Sequence, residues 1–467
     1  MDLKNLTKEQ LIKYIELKII AHEEKRIEMR RGIDYYNYKH AIDEKKRAVI
    51  GKSGELKTIR GLPNTIIKDN QYARALDQKR NYLFAEKPNI DSKNTNAMKF
   101  LNEFIDKRFM RTMNYLAIDS YNCGIAWLFM YTDGEEIKYK RLSPLDVIPI
   151  WKNDNNESLE AVILQVTKNK FEGNEIKKEL YYYFYTEETV KIYKYDNGHL
   201  EYKKEEAYLE KDGLVYSYKK IPFVYFRQPY EQPLLNRVMC LQDALNLLLS
   251  NYADNMFENP MNSILILKNY DGENLEDFRE NLAEYKAIKV RTADGSQGGV
   301  DTLEVEVNSE NYKVIIELIK KAIAHNARSL YLDNEKTSNA PNTLNIKAMY
   351  ADLELDANAL ELEFSASFDY MFDFIGTVKN IDFSDVDITF KRKMMINDES
   401  VVEMIRNSIG IVSNETLRAS HPLVTDAREE EKRIKKEREE ALKYYDDYAG
   451  LGGEVHGELL GQENRKS

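Results

Sequence analysis

From Thr343 to Ile375 the chain runs without a glycine or a proline, and the pattern inside that span predicts one long helix. Ile346, Met349, Leu353, Ala357, Leu360, Phe364, Phe368, Phe372 and Ile375 recur at steps of three or four, which lines them along one stripe of a rod. Directly upstream stands YLDNEKTSNAPN, a loop of small polar residues joined to the rod without a break. A flexible loop at the head of a long helix belongs to something that moves, clamps or lines a passage.

A second constraint lies just before that loop. QPLLNRVMCLQDALNLLLSNYADNMFEN predicts a helix, with Leu234, Val238, Leu241, Leu245, Leu248, Tyr252 and Met256 along one stripe. Leu235, Ala244, Leu247, Leu249 and Phe257 widen that stripe beyond one face, so the helix must be covered on more than one side. Pro260 ends it. SENYKVIIELIKKAIAHNARSL predicts a second helix, and a small α/β insert from about Met261 to Val307 separates the two. The insert reads as strand SILILKNY, helix NLEDFRENLAEY, strand AIKVR, turn ADGSQGG and strand VDTLEVEV. Helix, small mixed unit, helix: the order describes a stalk with a cap.

The first half reads as α+β. Thr7-Lys-Glu-Gln is a capping signal opening an N-terminal helix with Leu11, Tyr14, Ile15, Leu17, Ile19 and Ile20 near helical spacing. NQYARALDQKRNYLFAEKP predicts a second helix, and NTNAMKFLNEFIDKRFMRTMNYLAIDSYNCG a third, single one closed by Gly124. Strand-like segments then follow through IPFVYFRQP, with Asp133-Gly134 and Asn197-Gly198 as hairpin turns of an antiparallel sheet. After the long rod, VDITFKRKMMIN reads as a strand. Two short helices flank Gly410, a charged helix covers TDAREEEKRIKKEREEALKYYDDY, and a Gly-rich tail closes the chain.

Composition narrows function. With 467 residues the chain is long enough for several core-forming units. Hydrophobic residues at 43% and charged residues at 31% describe a folded protein. The net charge of -11 argues against a sequence-reading DNA-binding protein, but suits a wall along which DNA slides. Only Cys123 and Cys240 occur, far apart, so neither a zinc site nor a disulfide scaffold is expected, and a reducing compartment is the default. No apolar run has the length of a membrane span.

Catalytic chemistry finds no support. His22, His40, His199, His325, His421 and His456 include no pair at metal-ligand spacing, and no HExxH, GxSxG or P-loop occurs. DGSQGG lacks the Lys and Ser/Thr of a P-loop and lies between two predicted strands, which makes it a hairpin turn. The helix pair around Gly410 has helix-turn-helix spacing, but only Arg418 in SNETLRAS is suited to a strong base contact. Its plainer reading is a helical hairpin packed on its neighbours. A DNA-binding regulator using that pair is the competing functional reading. REEEKRIKKEREE mixes both signs at i,i+3 and i,i+4, the pattern of a solvated helix or a subunit contact.

Several stretches, taken in order, carry a resemblance to a known family: YARALDQKRNYLFAEKPNI, NYLAIDSYNCGIAWLFMYTDGEEIKYKRLSPLDVIPIW, LQDALNLLLSNYADNMFENPMNSILILKNYDG, NTLNIKAMYADLELDANALELEF, and INDESVVEMIRNSIGIVSNETLRASHPLVTDAREEEKRIKKE. From about Tyr72 to Glu440 the chain resembles portal proteins of long-tailed double-stranded DNA phages of Gram-positive hosts. No single motif is decisive, but the collinear set is specific.

The resemblance implies a largely helical α+β portal fold that assembles as a dodecameric ring at the capsid vertex. Carried over, 1–231 is wing, 232–258 a stem helix, 259–307 clip, 309–330 a stem helix and 331–342 the tunnel loop. Residues 343–396 form a long wing helix and strand, 397–446 the crown and 447–467 a flexible tail. Asp333, Glu335, Lys336, Thr337, Ser338, Asn339, Ala340, Pro341 and Asn342 then face DNA in the tunnel. Lys313, Lys320, Lys321, His325 and Arg328 are candidates for the stem lumen, and Lys286, Lys289 and Arg291 for partner contacts on the clip. The implied partners are further copies of the chain, double-stranded DNA, the large terminase, the head–tail connector, scaffold and the major capsid protein, with no membrane and no cofactor. The implied locations are the virion and, during assembly, the host cytoplasm.

Overall fold

The computed structural model describes residues 3, 6–50, 56–58, 63–134, 136–172, 175–211, 214–258, 264–268, 299–303, 309–331, 343–392, 398–424, 427 and 429–442. The chain divides into two compact units, Met1–Tyr331 with Ala351–Lys393, and Leu332–Tyr350 with Met394–Ser467.

The first unit begins with helix α1, Lys8–Tyr36. Its start is the capping box expected from the sequence: Gln10 N donates to Thr7 Oγ1 (3.3 Å) and Thr7 N to Gln10 Oε1 (3.0 Å), which satisfies two otherwise orphaned donors. Helix α2, Gln71–Phe84, follows. The single helix predicted across 94–124 is instead two, α3 (Thr95–Phe104) and α4 (Lys107–Cys123). The break has a local cause. Asp106 Oδ1 accepts from Arg108 N (2.9 Å) and Phe109 N (2.8 Å), so an N-cap competes with helix continuation. Ile105, in a non-helical conformation, is turned inward and buried.

Gly124 closes α4 at φ 79°, and a Cβ there would lie 2.2 Å from Glu231 O. Only glycine fits that left-handed, close-packed position. Gly32 lets α1 approach α4 equally closely, since a Cβ would meet Asn122 O at 2.0 Å.

Besides two short hairpins, β1 (Ala48–Ile50) with β2 (Leu56–Thr58) and β11 (Leu209–Lys211) with β12 (Leu214–Tyr216), the strand region forms two principal antiparallel sheets. One has three strands, β13–β4–β5, with β4 Ile125–Asp133, β5 Glu136–Leu142 and β13 Phe223–Arg227. The other has five in the order β10–β9–β8–β7–β6. Its strands are β6 Val147–Trp151, β7 Leu159–Glu172, β8 Glu175–Tyr185, β9 Thr189–Asp196 and β10 His199–Ala207. Both predicted turns join adjacent strands, with Asp133 paired to Glu136 and Asp196 to His199. Strand alternation gives the five-stranded sheet two apolar faces. Val162, Leu164, Tyr185 and Val190 pack with Trp127 and Phe223 of the smaller sheet. Ala161, Ile163, Tyr182, Phe184, Tyr193 and Leu200 pack with Leu11 and Ile15 of α1.

The long rod, Thr343–Lys379, is one helix as its pattern requires. Leu353, Ala357, Leu360, Phe364, Phe368, Phe372 and Ile375 are all buried, joined by Met371 and Phe374. Beyond it, β16 (Asp387–Thr389) pairs with β3 (Asn89–Asp91). In the second unit the two short helices appear at Asp398–Asn407 and Asn414–Ala419, with Gly410 between them at φ 85°.

On α1, His22 is buried and its Nε2 meets no partner among the described residues. Burial, with Arg26 and Lys25 nearby, lowers its pKa from 6.5 to about 4. The folded protein therefore stays unprotonated while the unfolded chain takes up a proton, so stability is lost as pH falls through that window. The loss is about 1.4 kcal/mol per pH unit and about 3 kcal/mol in all. Urea midpoints at pH 7 and pH 4 should diverge less in His22→Gln than in the wild type; an equal divergence would refute this assignment.

Candidate assembly site: a helix pair and its polar clasp

The two helices predicted to bracket the insert are present, α5 at Leu235–Glu258 and α6 at Ser309–Asn326. They pack together through Tyr252 and Tyr312, whose rings lie 4.9 Å apart, and Asn255 donates to Tyr312 Oη (3.2 Å). Between them, β14 (Ile264–Lys268) pairs antiparallel with β15 (Gly299–Leu303), as two of the insert's predicted strands require. The predicted helix NLEDFRENLAEY and strand AIKVR lie outside the described residues, as does the turn ADGSQGG up to Gly298, while its last residue, Gly299, opens β15.

The apolar stripe of α5 is buried at Leu234, Leu235, Val238 and Leu245. A second stripe escaped the sequence reading. Gln242, Asn246, Ser250 and Asp254 stand one turn apart and are all 2% exposed or less. Three of them bind the backbone of the segment before α2, at Thr65, Ile67 and Asp69, and Gln242 binds the first turn of α2. Gln242 Oε1 accepts from Tyr72 N (3.1 Å), Asn246 Oδ1 from Asp69 N (3.1 Å), Ser250 Oγ from Ile67 N (3.0 Å) and Asp254 Oδ1 from Thr65 N (2.7 Å). The match is geometric: four helical residues rise about 6 Å, and two extended residues advance about 6.6 Å. Side chains at i, i+4 and i+8 can therefore meet every second amide of a strand-like segment. The signal that could have found it is polar residues at period four inside an otherwise apolar helix.

Asp254 also takes Lys45 Nζ at 2.7 Å, in a pair whose side chains are 10% and 3% exposed. Lys45 and Thr65 are thus held at one carboxylate, which closes the base of the excursion between them. Asn246 Nδ2 stands 2.7 Å from His40 Nδ1, and Gln242 Nε2 donates to Asp69 O (2.8 Å), so the network is well satisfied. Asn246→Leu should cost about 1–3 kcal/mol, because the Asp69 amide is left buried without an acceptor. Chemical denaturation measures this directly, and an unchanged midpoint would mean that water or another group takes over that amide.

The pair leaves large apolar side chains exposed among charged ones. Val314, Ile315 and Leu318 on α6 and Leu247, Met256 and Phe257 on α5 are each at least 45% exposed. Of the predicted lumenal residues, Lys320 lies 3.2 Å from Asp69 and 3.9 Å from Glu317. His325 stands 3.7 Å from Asp352. Lys313, Lys321 and Arg328 are exposed and form no ion pair among the described residues. Arg328 lies beyond the end of α6, with a left-handed φ of 50°. Asp333, Glu335, Lys336, Thr337, Ser338, Asn339, Ala340, Pro341 and Asn342 lie outside the described residues, as do Lys286, Lys289 and Arg291.

Arg418, the candidate base-reading residue of the competing function, is engaged within its own unit by Glu431 at 3.4 Å. Among the described residues no group of three or more His, Cys, Asp or Glu is placed to hold a metal ion, and no helix is long and apolar enough to cross a membrane.

Comparison with known proteins adds independent findings. A family model described as phage portal protein, SPP1 Gp6-like, matches residues 15–444. The portal protein of Clostridium phage phiCD119 is 29% identical over 453 residues, which cover 92% of this chain and 97% of the relative. The portal protein of Bacillus phage SPP1 is 26% identical over 461 residues, covering 93% of this chain and 86% of the relative.

Proposed function

The chain belongs to the SPP1 Gp6-like family of phage portal proteins, and from that premise we propose that it forms a dodecameric ring at the capsid vertex. The ring is the conduit for double-stranded DNA during packaging and ejection. It docks the large terminase while DNA enters and the head–tail connector afterwards, and it contacts scaffold and major capsid protein during assembly in the host cytoplasm. The chain is a structural component; the energy for packaging comes from a partner. In this reading α5 and α6 are the stem, the insert between them is the clip, and Asp333 to Asn342 narrow the tunnel around DNA. Small side chains at Ser338, Asn339 and Ala340 suit a loop that rearranges, and Asp333 and Glu335 keep any grip of Lys336 on phosphate weak.

The observation that carries this reading is the set of large apolar side chains that the α5–α6 pair leaves exposed. A lone chain would leave Val314, Ile315, Leu318, Leu247, Met256 and Phe257 in water, whereas neighbouring stems in a ring would cover them. Native mass spectrometry with negative-stain imaging tests it. The expected result is a closed ring of about a dozen copies, given the family's symmetry, with a central hole. A small species that stays monomeric beside scaffold and binds short duplex DNA tightly, with steep salt dependence, would replace the portal reading with the regulator.

A further inference from the structure

His40 stands at the centre of the clasp on α5, only 4% exposed, with the Tyr35 ring stacked on it at 4.7 Å and Tyr38 at 6.3 Å. Its Nδ1 meets Asn246 Nδ2 at 2.7 Å, and its Nε2 meets Tyr35 O at 3.0 Å. Both ring nitrogens are therefore used.

Main-chain groups settle the direction of each hydrogen bond around this ring. Asp69 N can only donate, so the end of Asn246 that faces it at 3.1 Å is the carbonyl. Tyr72 N fixes the carbonyl end of Gln242 in the same way, and Gln242 Nε2 then donates to Asp69 O (2.8 Å) and Asn246 Oδ1 (3.0 Å). Asn246 Nδ2 is thereby turned toward His40, and His40 Nδ1 must accept from it. Tyr35 O can only accept, so the His40 proton sits on Nε2. A ring with one accepting and one donating nitrogen is neutral imidazole in a single tautomer.

A second proton has one place to go, Nδ1, and there it would face the Asn246 amide nitrogen, donor against donor. Reversing the Asn246 amide relieves that contact but turns Nδ2 toward Asp69 N and Gln242 Nε2, which are donors too. No orientation of Asn246 serves a charged His40 and the clasp together. We propose that His40 is a proton-operated lock: when neutral it holds Asn246 in the orientation that binds residues 65–70 to α5, and on taking up a proton it releases them. The lock goes beyond the portal reading, because it belongs to a single chain and does not depend on ring formation.

The charges around the ring set the pH window. Lys68 pairs with Asp43 at 2.7 Å, and Asp243 on α5 accepts from Tyr35 Oη at 2.7 Å, so both carboxylates are already engaged. The Asp69 carboxylate is held by Lys320 at 3.2 Å. Burial above all, helped by Lys68, keeps the His40 pKa below 6.5 against the pull of the Tyr35 carbonyl, Asp243 and Asp43. The closed clasp thus binds the proton less well than the opened segment does, and the closed state loses ground as pH falls below that value.

Hydrogen exchange of the full chain, read by mass spectrometry from about pH 8 to pH 5 and corrected for the intrinsic pH dependence of exchange, tests the lock. Strands β7 and β8 serve as the reference for opening of the whole unit. Protection of the Thr65, Ile67 and Asp69 amides should fall about tenfold more than the reference between pH 6.5 and pH 5. His40→Gln removes the titrating ring and should abolish that difference, whatever its starting protection. Asn246→Asp offers an acceptor both to Asp69 N and to a charged His40, so its protection should hold steady or rise over the same range. A wild-type segment that merely follows the reference overturns the lock. So does a fall that persists in His40→Gln, which assigns the proton to another group, or one that is equal in Asn246→Asp, which removes hydrogen-bond direction as the cause. Failure of the chain to form rings bears on the portal reading alone.

Discussion

Phe364→Ala should lower the stability of the first unit by about 3–5 kcal/mol, the range for an aromatic side chain removed from a closed core. Phe364 is fully buried in the long helix, with its ring centroid 5.2 Å from Phe84 and 5.1 Å from Phe226. Phe84 ends α2 and Phe226 lies in β13, so one side chain joins three elements that are distant in sequence. Aromatic contacts of this kind add to the area term, and a helix already fixed at Arg227–Glu363 (2.6 Å) and Tyr370–Ile221 (2.7 Å) cannot collapse into the space left behind. Urea unfolding followed by tyrosine fluorescence would measure the loss. A loss below about 1 kcal/mol would show that the site relaxes, contrary to its packing.

Asp356→Ala should be comparably severe, for an electrostatic reason. Lys79 is 2% exposed, and its Nζ lies 2.5 Å from Asp356 Oδ2, with Tyr121 Oη at 3.4 Å from the same oxygen. Burial pushes the Lys79 pKa down, and Asp356 is the group that opposes this. Removing the carboxylate strands a buried cation, at a cost of about 3–5 kcal/mol. The double variant Lys79→Met, Asp356→Leu removes both charges and should recover most of that loss. A double variant as unstable as Asp356→Ala alone would mean that packing around Asp356, and not the stranded ammonium, dominates.

These two positions differ in how visible they were. Phe364 stands in the stripe from Ile346 to Ile375, and its burial follows from helical period alone. So do the capping box at Thr7, the turns at Asp133-Gly134 and Asn197-Gly198, and the helix pair that brackets the insert. Each depends on neighbours within a few residues, so the information is local. The break at Asp106 was misread because a side-chain cap and helix continuation compete at nearly equal free energy, and the inward turn of Ile105 decides between them.

The pairing of Lys79 with Asp356 was not visible, since 277 residues separate the partners and either alone reads as a surface charge. The same holds for the clasp on α5. Gln242, Asn246, Ser250 and Asp254 follow a helical period as plainly as any apolar stripe, but their acceptors' partners are main-chain amides of residues 65–72, which carry no side-chain signature. Local order wrote the helices, strands and family resemblance into the residues themselves. Which polar groups could be buried depended on a distant segment arriving in register, because a buried donor or acceptor is tolerated only where a partner meets it, and only the folded chain brings the two together.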